Sequence, residues 1–164
     1  MTEDQAPVTE PAIARVALSP AQLHWARVIV TQVTHFPRDL STDERKRAAD
    51  ISLEIALTES SLRMLANRRV PASMLLPHEG VGSDHASLGL FQQQWPSWGT
   101  VSQLMSGPES TRRCLRALLR PGWTAGTNWE IAQRVQVSAF ADGRNYRAND
   151  ALAIATRRAL WPRF

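Results

Sequence analysis

The spacing of apolar positions along the chain predicts a mostly helical domain. Apolar residues recur at intervals of three and four, the period that places them on one face of a helix. Alternating apolar and polar runs, which indicate half-buried strands, never extend beyond a few residues. No internal repeat is visible. We therefore expect a mainly α fold with only small strand or loop regions.

Capping residues divide this pattern into helices. Ser19-Pro20 predicts the start of the first helix, and Pro37 its end. Ser41 with Glu44, and Thr127 with Glu130, have the spacing of a capping box. Further helices are predicted around Val101 to Met105, from Pro108 to Leu119, and from an Asn149-Asp150 cap to about Leu160.

The segment from Arg45 to Asn67 carries the most informative residue, Glu59. Read at helical spacing, it shares a face with small and aliphatic residues, namely Ser52, Ile55, Ala56, Leu62 and Ala66. A carboxyl group that loses hydration has a raised pKa, so it can hold a proton near neutral pH and donate it to a leaving group. The alternative is a glutamate at the edge of this face with its carboxylate in water.

Two later segments could accompany Glu59. Ser87–Gln94 reads Ser-Leu-Gly-Leu-Phe-Gln-Gln-Gln, in which Gly89 would let a ligand approach the backbone and the glutamines could bind sugar hydroxyls and acetamides. Val137–Gly143 closes a helix and is predicted to turn at Asp142-Gly143.

In this order, three motifs resemble the lysozyme-like superfamily of peptidoglycan-cleaving enzymes: Glu59-Ser60, Gly89-Leu90-Phe91-Gln92 and Ala139-Phe140-Ala141-Asp142-Gly143. The resemblance spans roughly residues 23–146. It points to the soluble lytic transglycosylase and goose-type lysozyme branches, and more closely to small domains of this type from actinobacteria and their phages. It implies a lysozyme-like helical domain in which a small loop or hairpin region, here between Arg68 and Ser87, borders a glycan cleft.

The resemblance also implies an activity, cleavage of the β-1,4 bond between N-acetylmuramic acid and N-acetylglucosamine with Glu59 as the general acid. Ser60 and Gln92 would contact the acetamide or position Glu59, while Phe91 and Phe140 would surround the acid with apolar groups. Gln94 and Trp98, which follow the second motif, are further candidates for substrate binding.

The chemical outcome depends on a second carboxylate. Goose-type lysozymes commonly have an aspartate two positions after the second motif, where this chain has Gln94. This difference favours a lytic transglycosylase, with a hydrolytic goose-type-like lysozyme as the alternative. Asp84 is the main candidate for a second catalytic carboxylate in that alternative, and Asp142 is a further choice.

The third motif departs from the family pattern, because Phe140 replaces a tyrosine and Ala141 an asparagine. These losses keep open a rival from another class, a non-catalytic peptidoglycan-binding or virion-structural domain. A basic helical nucleic-acid binder is a second rival, although no DNA- or RNA-binding signature is readable.

Length and composition complete the expectations. The 164 residues predict one domain over 20–164, preceded by a flexible arm over 1–19. No apolar run is long enough to cross a bilayer, and no export signal is visible, so we expect no membrane insertion. A cell-wall enzyme without a signal would need another exit: holin-type release from the host cytoplasm as a phage endolysin, delivery as a virion-associated lysin, or a longer parent chain. All three favour a phage or prophage setting.

The net charge of +4 suits an anionic partner such as bacterial peptidoglycan. We expect a monomer that binds no nucleic acid. The lone cysteine, Cys114, excludes an intramolecular disulfide and is expected to be a small packing residue. His78-Glu79 and Asp84-His85 match no metal-ligand spacing, so neither a metal nor a cofactor is expected.

Overall fold

The computed structural model describes residues 16–136 and 142–162, and over these ranges the chain is mainly α, as predicted. Seven α-helices are described: α1 (Pro20–His35), α2 (Thr42–Ser60), α3 (Val101–Leu104), α4 (Gly107–Leu118), α5 (Asn128–Gln136), α6 (Arg144–Arg147) and α7 (Asp150–Leu160). Between α2 and α3 lie a 3-10 helix and four short strands: Pro71–Leu75, β1 (Leu65–Asn67), β2 (Gly80–Gly82), β3 (Ser87–Leu88) and β4 (Gln93–Gln94).

The predicted helix starts are largely confirmed. Ser19 caps α1, and Ser41 caps α2 in a reciprocal capping box with Glu44. The Thr127 hydroxyl accepts a hydrogen bond from the backbone N–H of Glu130 at the start of α5. Asn149 precedes α7 as predicted, but its side chain makes no capping bond and donates instead to the Thr58 hydroxyl of α2 at 3.0 Å. That amide therefore joins two helices.

Helix α2 is the centre of the fold. It packs against α1, α4, α5, α6 and α7, and every residue from Ala48 to Leu57 is buried. The expectation of a helix with one buried face is therefore wrong for this segment, because neighbouring helices surround it. Its buried polar residues, Asp50 and Glu54 among them, must find their partners inside the protein.

The helix that carries Glu59 is also shorter than the predicted span from Arg45 to Asn67. It ends at Ser60, because Ser61 and Leu62 both adopt left-handed conformations with φ 54°. The backbone N–H groups of these two residues cap the last turn by donating to Leu57 and Ala56. Residues Leu65–Asn67 then form β1, so Leu62 and Ala66 are buried but not on the helix face.

The region predicted as a loop or small hairpin contains two small sheets. β1 pairs with β2 in parallel, and β3 pairs with β4 as an antiparallel hairpin in which Ser87 faces Gln94. The Gly89 backbone N–H donates to Leu65 O at 2.9 Å, which connects the two sheets. The hydroxyl of Ser60 donates to Leu90 O at 2.6 Å, so the turn between β3 and β4 contacts the C-terminal end of α2.

Cys114 lies inside the core with no exposed surface, as its predicted packing role requires, and burial raises the pKa of its thiol to about 12. Most of the predicted N-terminal arm, residues 1–15, lies outside the described residues. Val16, at the described start, is buried. Among the described helices, none combines the length and apolarity that crossing a membrane requires.

Candidate functional site

Glu59 occupies the last turn of α2, where the central helix reaches the surface. Its side chain is half-buried, unlike the fully buried residues that precede it. The sharp turn at Ser61 leads the chain away from the helix axis immediately afterwards. The helix therefore presents this carboxyl group at its end, partly shielded and partly accessible.

The hydroxyl of Tyr146 donates a hydrogen bond to Glu59 Oε1 at 2.5 Å. Tyr146 is the only tyrosine of the chain and is fully buried in the short helix α6. A left-handed glycine, Gly143 (φ 72°), turns the chain into α6, and a Cβ there would lie 2.3 Å from Trp129 O of α5. The predicted Asp142-Gly143 turn therefore leads into the short helix that places the Tyr146 hydroxyl beside Glu59.

Three influences act on the protonation of Glu59. Burial raises its pKa, the Tyr146 hydrogen bond lowers it, and the negative charge of Asp84 raises it, with a net increase. A carboxyl group with a raised pKa retains its proton to higher pH than an ordinary glutamate. Glu59 can therefore act as a proton donor, and Tyr146 can stabilise the carboxylate that remains after donation.

Ser60 fixes the second motif against the helix end. Its hydroxyl donates to Leu90 O at 2.6 Å and also lies 3.1 Å from Ala56 O, while it accepts from the backbone N–H of Arg63. With 6 % of its surface exposed, Ser60 has little access to a ligand. The structure thus places Glu59-Ser60 beside the Gly89–Gln92 turn, and the Ser60 hydroxyl joins the two segments.

The glycine of the second motif is needed for packing. A Cβ on Gly89, where φ is 79°, would lie 2.1 Å from Leu104 O of α3. The close approach that this glycine permits is therefore to the protein's own backbone, whereas the sequence suggested a ligand. Phe91, two residues later, has no exposed surface and belongs to the core.

The glutamines of the motif differ in their freedom. Gln92 adopts a left-handed conformation (φ 49°) and donates to Gly89 O at 2.9 Å, and a Cβ on Gly82 would approach its Oε1 to 3.1 Å. Gln94 donates to the Ser87 hydroxyl at 2.7 Å and accepts from the backbone N–H of Ala86. Both side chains are half-buried. Both the amide nitrogen and the amide oxygen of Gln94 are hydrogen-bonded to residues of the β3–β4 hairpin or next to it.

Asp84 lies in the loop between β2 and β3, with 70 % of its side chain exposed. His85 hydrogen-bonds to it at 2.8 Å and Ser87 at 3.2 Å, and chiefly the His85 bond lowers the pKa of Asp84. Asp84 is therefore ionised at neutral pH, and its negative charge raises the pKa of Glu59. A carboxyl group with a raised pKa on α2 and one with a lowered pKa in the β2–β3 loop are thus electrostatically coupled.

Two predicted site residues remain, Trp98 and Phe140. Trp98 lines a separate groove formed with the end of α4 and with α5. Phe140, in the third motif, lies outside the described residues. In residues 16–136 and 142–162, no three His, Cys, Asp or Glu side chains are grouped so that they could hold a metal ion.

Tyr146 is the residue at the candidate site that sequence reasoning missed. The absence of a tyrosine at position 140 suggested that the site had lost its hydroxyl, yet a hydroxyl reaches Glu59 from six positions later. The available signal was the chain's single tyrosine, three residues after the predicted glycine turn. Only the packing of α6 against α2 shows its target.

No known protein-family model matches this chain, and no curated protein has a significantly similar sequence.

Proposed function

We propose that this protein is a peptidoglycan-cleaving muramidase, acting as a lytic transglycosylase on the bond between N-acetylmuramic acid and N-acetylglucosamine. One observation carries this proposal: a half-buried glutamate with a raised pKa ends the central helix and receives a hydrogen bond from a buried tyrosine. Glycosidases need such a protonated carboxyl to activate the leaving oxygen. The adjacent Gly89–Gln92 turn supports the resemblance to lysozyme-like enzymes.

The proposed reaction uses Glu59 twice. Glu59 first donates its proton to the glycosidic oxygen while the bond from that oxygen to C1 of the muramic acid breaks. The acetamide of the substrate supports the positive charge at C1, and the Tyr146 hydroxyl stabilises the new carboxylate. The C6 hydroxyl then attacks C1 and returns its proton to Glu59, which closes a 1,6-anhydro ring without consuming water.

A hydrolytic, goose-type-like reaction is the second candidate, and Asp84 favours it. This carboxylate is exposed, ionised and close enough to raise the pKa of Glu59. A hydrolase that inverts the anomeric centre needs such a base to activate a water molecule. Gln94 offers no carboxylate and is bound into the hairpin, and Asp84 rather than Asp142 is the carboxylate that acts on the pKa of Glu59, so Asp84 would perform this step.

The variant Asp84→Asn distinguishes the two candidates. In a transglycosylase it keeps cleavage within a few-fold of the wild type at acidic pH. Because the charge of Asp84 raises the pKa of Glu59, the alkaline limb of the pH profile moves to lower pH. In a hydrolase the variant loses roughly 10²-fold or more at every pH, as expected for loss of a general base.

The decisive experiment is product analysis by mass spectrometry of purified peptidoglycan digested in H₂¹⁸O. Anhydro-muropeptides without ¹⁸O are expected from the wild-type protein, and Glu59→Gln should release none. Reducing ends that carry ¹⁸O would select the hydrolase. Binding to peptidoglycan without soluble products from the wild type would contradict both reactions and select the non-catalytic wall-binding or virion-structural domain.

The proposed partner is therefore bacterial peptidoglycan, and the proposed setting is a phage endolysin or a virion-associated lysin. The net charge of +4 supports attraction to an anionic wall. Antibody detection of the protein in purified particles, compared with lysates of infected cells, would separate these two settings.

A further inference from the structure

A groove lies between Trp98, the C-terminal end of α4, and α5. Its composition differs from that of the Glu59 region. It consists of two adjoining pockets of about 460 and 350 Å³, which share Trp98, Ala117 and Arg120. The larger pocket is also lined by Trp123 and Ile131. Both tryptophans are half-buried, so each is held by the protein and still offers part of its surface to the groove.

Four guanidinium groups line this groove, from Arg113, Arg116, Arg120 and Arg134. None of the described lining residues is acidic. Nearby, Glu109 pairs with Arg112 and its charge also acts on Arg113 and Arg116, whereas the Glu130 carboxylate accepts from Thr127, so one neighbouring carboxylate stands against four guanidinium groups. The groove is therefore a concentrated positive surface.

The four arginine side chains differ in how firmly hydrogen bonds to the protein hold them. Arg113 donates to Trp98 O at 2.9 Å, and its buried Nε has no hydrogen-bond partner among the described residues. Arg134 donates to Ala125 O, while Arg116 and Arg120 are exposed. Planar guanidinium groups bind carboxylates through paired hydrogen bonds, which makes the exposed arginines a suitable site for a ligand that carries several carboxylates.

The groove adjoins the segment that flanks the candidate acid. Its wall residues Arg134 and Val135 directly precede Gln136, whose side chain donates to Phe91 O at 2.7 Å. Trp98 follows β4 by four residues. One helix and one loop therefore connect the groove with the Gly89–Gln92 turn beside Glu59.

We propose that this groove binds the carboxylates of the peptide stem attached to the muramic acid, so that the protein prefers peptide-bearing glycan over bare glycan. The inference rests on the proposed function, because it assumes a peptidoglycan ligand. A neutral sugar could stack on the tryptophans but would leave the four guanidinium groups without an anionic partner. A stem peptide supplies several carboxylates on one flexible chain.

Calorimetric titration of the full chain carrying Glu59→Gln, which prevents turnover, tests this inference. The probes are a soluble disaccharide tetrapeptide, the same disaccharide without its peptide, and a glycerol phosphate oligomer. Adding Arg116→Gln and Arg120→Gln should weaken binding of the disaccharide tetrapeptide roughly tenfold or more, the typical effect of losing charged hydrogen bonds. The matched control, Arg27→Gln with Arg38→Gln, removes the same charge from exposed positions outside the groove.

Equal binding of the tetrapeptide to the groove and control variants would overturn the inference. So would equal affinity of the parent protein for the disaccharides with and without peptide, or tighter binding of glycerol phosphate. These results are independent of the proposed reaction. If the wild type forms anhydro products but the groove variant binds the tetrapeptide normally, the groove inference is wrong and the proposed function stands. If the groove variant binds more weakly but the wild type cleaves nothing, the proposed function is wrong and the groove still binds the peptide.

Discussion

Two glutamates on the same helix, five residues apart, have opposite environments. Glu54 is fully buried in the middle of α2, and its carboxyl group lies close to that of Asp150 at the start of α7. Burial, followed by the nearby carboxyl group of Asp150, raises the pKa of Glu54 to about 9. Glu59 is half-buried at the end of the helix, and Tyr146 donates to it.

The comparison shows that a raised pKa does not by itself make a catalytic acid. Glu54 holds its proton more firmly than an ordinary glutamate, yet no substrate can reach it. Glu59 combines partial burial, which retains the proton, with access and a hydroxyl that stabilises the carboxylate after donation. The function proposed for Glu59 therefore depends on its place in the helix as much as on its burial.

The surroundings of Glu54 suggest a structural role in joining α2 to α7. Asp50, one turn earlier, accepts from Arg157 of α7 at 2.8 and 3.2 Å, and Asp150 begins that helix. Asp150 in turn accepts from Asn128 of α5 at 3.2 Å. Asp150 and Asp50 both raise the pKa of Glu54, so a proton retained on Glu54 reduces the repulsion among these neighbouring carboxyl groups.

The largest expected effect is on cleavage. Glu59→Gln should lower activity on purified peptidoglycan by roughly 10²–10⁴-fold, the usual contribution of a general acid. Glu54→Gln, the matched control on the same helix, should retain activity close to the wild type. Release of soluble muropeptides measures both, and circular dichroism confirms folding. If the Glu54 variant were the inactive one, the assignment of the acid would be reversed.

The second effect concerns stability and its pH dependence. Below pH 4.5, the ordinary value for glutamate, Glu54 is protonated in both the folded and the unfolded chain. As the pH rises towards about 9, only the unfolded chain releases this proton, so folding loses about 1.4 kcal/mol per pH unit from this group.

Glu54→Gln removes that dependence. At pH 7 the variant should be more stable than the wild type by about 3 kcal/mol, and near pH 4 the two should be similar. Urea unfolding at several pH values measures the difference. A constant difference across pH 4–9 would show that Glu54 does not retain a proton in the folded protein.

The smallest effect tests the partner of Glu59. Tyr146→Phe keeps the ring and removes the hydroxyl, so cleavage should fall about 3- to 10-fold, the effect of one lost hydrogen bond. Because that bond lowers the pKa of Glu59, the alkaline limb of the pH profile should move to higher pH. A purely structural role would lower activity equally at all pH values and leave the limb in place.

This shift is opposite to the one expected for Asp84→Asn, whose lost charge lets the pKa of Glu59 fall. Measuring the profiles of both variants and of the double variant under the same conditions provides an internal control. Parallel shifts of the two single variants would contradict the described environment of Glu59.

The sequence by itself determined where most helices begin, because a cap such as Ser41 with Glu44 acts within one turn of backbone. It also singled out Glu59 and the Gly89–Gln92 turn by their order along the chain. It could not determine that α2 is buried on all sides, since burial depends on the five helices that surround it.

Only the tertiary structure decided which groups meet. Tyr146 lies 87 residues from Glu59, and no local pattern specifies a hydrogen bond across that separation. The same holds for the left-handed residues that end α2 at Ser60, and for Gly89, where any side chain would collide with the carbonyl oxygen of Leu104 in α3. Periodicity and capping are local properties, whereas the environment that raises the pKa of a carboxyl group is built by segments distant in the chain.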